Sequence, residues 1–294
     1  MRKQEAWKEE RKRGTSRMKG LLKFITCGSV DDGKSTLIGH ILYDSKLLYA
    51  DQEKALELDS KVGSREGKID YSLLLDGLMA EREQGITIDV AYRYFTTDNR
   101  SFIVADTPGH EDFSEDTYRT LMAADSAVMV IDASKGVEKQ TIKLFKVCVM
   151  RHIPIFTFIN KMDREANDPF ELLDEIENVL GIATCPINWP IGCGKVFKGV
   201  YDRKQKEVSL FKAAMNGQKE VDTKNISIDD DELKAEIGDD YWAKLEEDVE
   251  LLDGASAEFD LAKVQAGDLT PVFFGSALTN FGVETFLQHF LDMT

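Results

Sequence analysis

The sequence predicts a doubly wound, mostly parallel α/β sheet with one antiparallel edge strand and an α+β insertion before the last strand. Three observations carry that expectation. The first is GSVDDGKST, residues 28–36, which fits G-x-x-x-x-G-K-[ST] and lies between a short apolar run and a helical pattern. The second is a pair of continuous apolar runs, residues 126–131 and 153–159, the mark of parallel strands covered on both faces. The third is the alternation of strand-like and helix-like segments along most of the 294 residues.

The elements follow in order. Residues 1–20 are a charged leader, read as a solvated, frayed helix, with a basic arm for a polyanion as the other reading. Residues 21–27 read as a buried strand and residues 35–43 as a helix with Leu37, Ile38, Ile41 and Leu42 on one side. A polar, helix-prone stretch over 44–82 is broken by Gly63 and Gly67. VAYRYFTT, a turn at Asp98 and Asn99, and SFIVA then make a hairpin. Helical patterns cover 111–124 and 138–151. Between Asp163 and Thr270 the alternation is expected to stop. A helix opens there with Asp168 as N-cap and Pro169 at its first position, closes at Gly181, and packs through Leu172, Leu173, Ile176 and Leu180. Short strands in a hairpin follow over 185–211. The acidic stretch 228–253 reads as a solvated face, because it lacks the glycine and fixed alternation of a calcium loop. A last buried strand, 270–274, precedes a helix near 283–291. The domain is therefore set at 21–294, with its insertion at about 164–269.

Composition narrows the class. A hydrophobic content of 43% supports one substantial core. No apolar run reaches the roughly 18 residues of a membrane span, and the N-terminus is too charged for a secretory signal. Net charge is −16, from 53 acidic against 37 basic residues, a field that repels nucleic acid except at a local patch. Cys27, Cys148, Cys185 and Cys193 are scattered without zinc-site spacing. The expectation is a soluble, cytoplasmic, reduced chain with no membrane contact, and a monomer.

Four short motifs carry the chemistry. In the first, Gly28 and Gly33 permit backbone angles and close approaches that a Cβ blocks. The N–H groups of Ser29, Val30, Asp31 and Asp32 between them form an anion-binding nest, and Thr36 lies in the helix start behind it. Lys34 reaches the β and γ phosphates, and the Ser35 hydroxyl is a ligand for Mg²⁺. In DTPGH, Asp106 is placed to hold Mg²⁺ through its water shell, Gly109 to offer its N–H to a γ phosphate, and His110 to hang beside the attacking water. A helix-capping role is the other reading of His110. Thr87, in the Gly-Ile-Thr segment, is the second hydroxyl for the metal, bound only while the γ phosphate is present. In NKMD, the Asp163 carboxylate accepts from guanine N1–H and the exocyclic amine together, Lys161 lays its stem along the base, and Asn160 ties this loop to the phosphate loop. Adenine has no donor at those two places, and such sites reject an analogue lacking the group by ~10⁴–10⁵. Gly275, Ser276 and Ala277 follow the last strand and offer a backbone N–H to guanine O6. Four motifs in this order at four strand ends define a guanine-nucleotide site on a P-loop NTPase sheet, with GTP or GDP and Mg²⁺ as its occupants.

These boxes resemble the translational GTPase family, where histidine follows DTPG in place of the glutamine of small signalling GTPases. Within that family the likeness is composite. Residues 21 to about 110 resemble the GTPase subunit of bacterial sulfate adenylyltransferase, and residues about 106 to 294 the release factor 3 branch, insertion included. The resemblance implies a translational-type G domain, with the β-barrel domains that follow in such relatives expected to be absent. It implies a monovalent cation at Asp31, and an apolar gate of Val30 and Ile86 restraining His110. It also implies hydrolysis of GTP by in-line attack of water, slow until a large partner stimulates it. That partner is the ribosome on the release factor reading. The alternatives are a sulfate adenylyltransferase small subunit, in a regulatory role in sulfate activation, or none, if the chain is a non-catalytic GTP-binding fragment.

Overall fold

The computed structural model describes residues 19–44, 91–96, 100–107, 119–121, 123–211 and 223–294. The leader up to residue 18, the turn at Asp98 and Asn99, most of the helix expected over 111–124, and the segment with Ile86 and Thr87 lie outside the described residues. The main sheet is built from β1 (Lys19–Cys27), β2 (Ala91–Thr96), β3 (Arg100–Asp106), β4 (Ser126–Asp132), β5 (Ile155–Asn160), β6 (Ala183–Pro186) and, after the insertion, β11 (Leu269–Phe274). Their order is β2-β3-β1-β4-β5-β11-β6. Every neighbouring pair is parallel except β2 and β3, the antiparallel edge that the alternation in VAYRYFTT predicts. β1 starts two residues ahead of the expected domain boundary, because Lys19 already pairs with Arg100.

Each central strand is buried along its whole length, so its side chains alternate between two apolar layers. On one face, α1 (Lys34–Asp44) and α7 (Val283–Met293) cover an aromatic layer in which Phe290 meets Phe24 at 5.2 Å and Phe156 at 4.9 Å edge-on, and Phe286 meets Phe158 at 5.3 Å. Truncating one such ring to alanine costs about 3–5 kcal/mol. On the other face, α2 (Lys139–Met150) and α3 (Pro169–Leu180) pack Leu144, Cys148, Leu172 and Ile176 against Ile25, Met129 and Ile159. The signals in DPFELLDEIENVLG act as expected: Asp168 accepts from the Phe170 N–H at 2.9 Å, and Gly181 ends the helix at φ 72°. None of the helices among the described residues is long and apolar enough to cross a membrane.

The alternation does not stop at Asp163. It continues through α3 into β6, which joins the main sheet beside β11. The outer side of β6 is closed by Glu177 on α3, whose carboxylate accepts from both the backbone N–H (2.8 Å) and the hydroxyl (2.7 Å) of Thr184. A proline-ended, four-residue strand gives too little periodicity to be separated from the segment that follows.

The insertion proper has its own sheet. β7 (Asn188–Ile191), β8 (Gly199–Asp202), β9 (Glu207–Phe211) and β10 (Thr223–Ser227) form an antiparallel meander, larger than the expected hairpin. The acidic stretch resolves into α4 (Asp231–Ile237) and α5 (Asp239–Ala255), parted at Gly238, with α6 (Leu261–Ala266) behind. Leu233, Ile237, Leu245 and Leu252 face inward and most acids face water. Asp248 is the exception: it is buried and accepts from Trp189 Nε1 at 2.9 Å.

Candidate nucleotide-binding site

The carboxyl ends of β1, β3, β5 and β11 lie along one edge of the parallel sheet. The connections change direction beside β1, the place where open α/β sheets bind ligands. Glycine is required twice in the first loop. A Cβ on Gly28 would collide with the Val130 carbonyl oxygen, and one on Gly33 with the Asn160 amide. Asp31 takes φ 66°, a turn of the chain that helps aim the intervening N–H groups inward. Val30 and Thr36 are half-buried.

Charge in this loop is strained. The Lys34 ammonium is buried and donates to the Ser29 carbonyl at 2.6 Å. Desolvation pulls its pKa down, against the pull of the Asp106 and Asp32 carboxylates. Asp32 is buried too and accepts from the Ser29 N–H at 2.6 Å, yet burial pushes its carboxyl up to about 6. Behind the loop, Ser35 Oγ donates to Asp106 at 2.5 Å, and Thr26 Oγ1 donates to the other Asp106 oxygen at 2.9 Å. The Ser35 hydroxyl points its proton at Asp106, so the two side chains set oxygen atoms side by side. This all-oxygen pair therefore fits a hard divalent ion such as Mg²⁺. Thr87, Gly109 and His110 lie outside the described residues.

The loops after β5 and β11 form the other half. Asn160 bridges them to the phosphate loop, donating through Nδ2 to the Asp32 carbonyl at 2.7 Å and accepting through Oδ1 from the Ala277 N–H at 2.8 Å. Ser276 Oγ donates to Asp163 at 2.6 Å, and the Met162 N–H to the Gly275 carbonyl at 3.1 Å. Lys161 takes φ 70° and its ammonium lies 2.7 Å from Asp132. Burial works against the charge on Asp132, but hydrogen bonds from Lys161 and Ser134 hold its carboxyl below the usual range. The sequence reading missed Asp132; its one trace is an acid closing a strand whose five central residues are apolar.

The N–H groups of Gly275, Ser276 and Ala277 are all engaged, with the Ile159 carbonyl, the Phe281 carbonyl and Asn160 Oδ1. A guanine O6 at this loop would have to share the Ala277 N–H with Asn160, rather than meet an uncommitted donor.

Fold and loops together define a P-loop nucleotide-binding domain of the translational GTPase kind. The family model described as the elongation factor Tu GTP binding domain matches residues 19–294, and the chain belongs to that family. It is similar to peptide chain release factor 3 of Symbiobacterium thermophilum, 49% identical over 270 residues, a match that covers 92% of this chain and 49% of that protein. It is also similar to peptide chain release factor 3 of Trichormus variabilis, 46% identical, with 92% and 48% covered. A match of this length reaches upstream of Asp106 into the phosphate-loop half. The chain spans about half the length of these relatives. A crystal structure of a protein from Thermus thermophilus superposes with a TM-score of 0.67 at 20% identity over 92% of this chain and 40% of that one, a likeness of fold alone.

Proposed function

We propose that this chain binds GTP and GDP with Mg²⁺ across the carboxyl ends of β1, β3, β5 and β11, and that it hydrolyses GTP as the G domain of a ribosome-dependent factor of the release factor 3 type. The observation that carries the binding half is Asn160, one side chain joined to the phosphate loop and to both loops suited to a purine. The ribosomal role is drawn from the names of the relatives. A cytoplasmic monomer, with a monovalent cation at Asp31, belongs to the same reading.

The chemistry follows from the residues. The nest N–H groups and Lys34 would hold the β and γ phosphates, whose charge would offset the desolvation of the buried ammonium. Ser35 and Asp106, with Thr87, would hold Mg²⁺, which neutralises charge on the phosphate oxygens when bound. Gly109 would fix the γ phosphate, and His110 would orient water for in-line attack on it. The bond to the β-γ bridging oxygen breaks, and GDP leaves with that electron pair. Asp163 would select guanine.

Phosphate release from GTP, measured with the chain alone and with ribosomes, tests this. Slow turnover alone and faster turnover with ribosomes is the expected result; GTP binding with turnover that ribosomes leave unchanged removes the ribosomal role. His110→Ala should keep GTP affinity and lower stimulated turnover by about 100-fold. Unchanged turnover would take His110 out of the mechanism.

A further inference from the structure

We infer that the inserted sheet positions the two purine-side loops, with Asn188 as the residue that fixes the β11 loop. The inference rests on the guanine reading of those loops. At the end of β11 the pairing with β6 has already finished: the last partners are Val272 with Pro186, followed by the Ile187 N–H to the Val272 carbonyl at 2.8 Å. Phe274, two residues on and next to Gly275, is fully buried. Asn188 replaces the missing strand. Its Oδ1 accepts from the Phe274 N–H at 2.6 Å and its Nδ2 donates to the Phe274 carbonyl at 3.0 Å, and Asn188 itself is fully buried. Two buried backbone groups depend on that single amide.

The neighbouring residues of the insertion converge on the same loops. Trp189 stands edge-on to Phe274 at 5.3 Å and is held from behind by Asp248 of α5. Phe197 stands edge-on to Phe281 at 5.2 Å, and Phe281 exchanges both backbone bonds with Ser276, at 2.8 and 2.9 Å. On the β5 side, the Gly194 N–H donates to the Met162 carbonyl at 2.8 Å, inside N-K-M-D. Each purine-side loop thus takes a direct hydrogen bond from the insertion, either on the loop or at its root. The insertion therefore governs how well the base is gripped.

The test uses the full chain, with fluorescently labelled GDP and GTP for release rates and unlabelled GDP and IDP as competitors. IDP lacks the exocyclic amine that Asp163 is placed to accept, so the GDP-over-IDP preference reports loop position rather than global stability. Asn188→Asp keeps the size and the acceptor but loses the donor. Phe197→Leu keeps the core apolar and serves if the first variant fails to fold. Both should release GDP and GTP faster by one common factor, about tenfold for Asn188→Asp, and should lose at least half of the GDP-over-IDP preference, at a temperature well below their melting points. If the parent chain does not bind GDP, the guanine reading falls and takes this inference with it. If the parent prefers GDP over IDP and folded variants match it within twofold in release and preference, the inference alone is overturned.

Discussion

The two halves of the candidate site differ in how far they are finished. On the purine side every polar group that the sequence singled out has a partner: Asn160 is satisfied at both ends, Asp163 takes the Ser276 hydroxyl, and Lys161 faces Asp132. On the phosphate side the charges are in conflict, with a buried ammonium pulled toward neutrality and a buried carboxyl pushed up to about 6. A preformed loop set discriminates, because it does not reorganise to suit a wrong base. The buried ammonium favours an anion, because an incoming phosphate offsets the desolvation that burial imposes on Lys34. On the proposed reading, the choice of base belongs to the preformed half, and the phosphate half adds grip on charge without choosing the base.

Four substitutions can break or sharpen that contrast. Asp163→Asn should lower guanine affinity and favour xanthine, shifting the guanine-over-xanthine ratio by about 10⁴ in competition calorimetry, since the new amide can donate to the xanthine C2 carbonyl. If GTP still outcompetes xanthosine triphosphate, the preformed half does not choose the base. Lys34→Ala should weaken GTP by about 1000-fold while leaving the order of preference among purines unchanged; a calorimetric loss below tenfold would mean that the ammonium does not meet phosphate. Asp32→Asn probes the strain itself. Because its folded pKa is raised, the carboxyl stabilises the nucleotide-free fold at acid pH, and that contribution is lost as pH rises through about 6. The variant should melt higher at pH 7.5, by at most about 3 kcal/mol, and should match the parent near pH 4. A gain that did not depend on pH would point to packing instead. Asp132→Asn should have the smallest effect, about a tenfold loss of GDP affinity with no change in how phosphate analogues bind, as Lys161 loses its charged partner.

How much could be read beforehand depends on the range of the interaction. The phosphate loop was legible because glycine spacing is a local demand of the backbone, and β4 and β5 because burial on both faces leaves an unbroken apolar run. The helix over 169–180 announced itself through Asp168, Pro169 and Gly181. β6 was not legible as part of the main sheet: four residues ending in proline carry no period, and their place is set by Leu269–Val272, more than eighty residues later. Asp132 and Asn188 were missed for a related reason. Each acts by pairing with a group far along the chain, Lys161 in one case and Phe274 in the other, and such pairing leaves no periodic trace. Asp248 was absorbed into a run of acids that reads as solvent-facing, and nothing adjacent marks it as the one that meets Trp189.

The carboxylate of Glu177 along the outside of β6 has a consequence for how copies of this chain meet one another. A bare strand margin invites another molecule to add itself by main-chain pairing, the first step toward fibrils. With Thr184 already capped from its own preceding helix, an intruding strand on that side finds an occupied amide and a negative charge, so that border of the sheet is guarded against self-association.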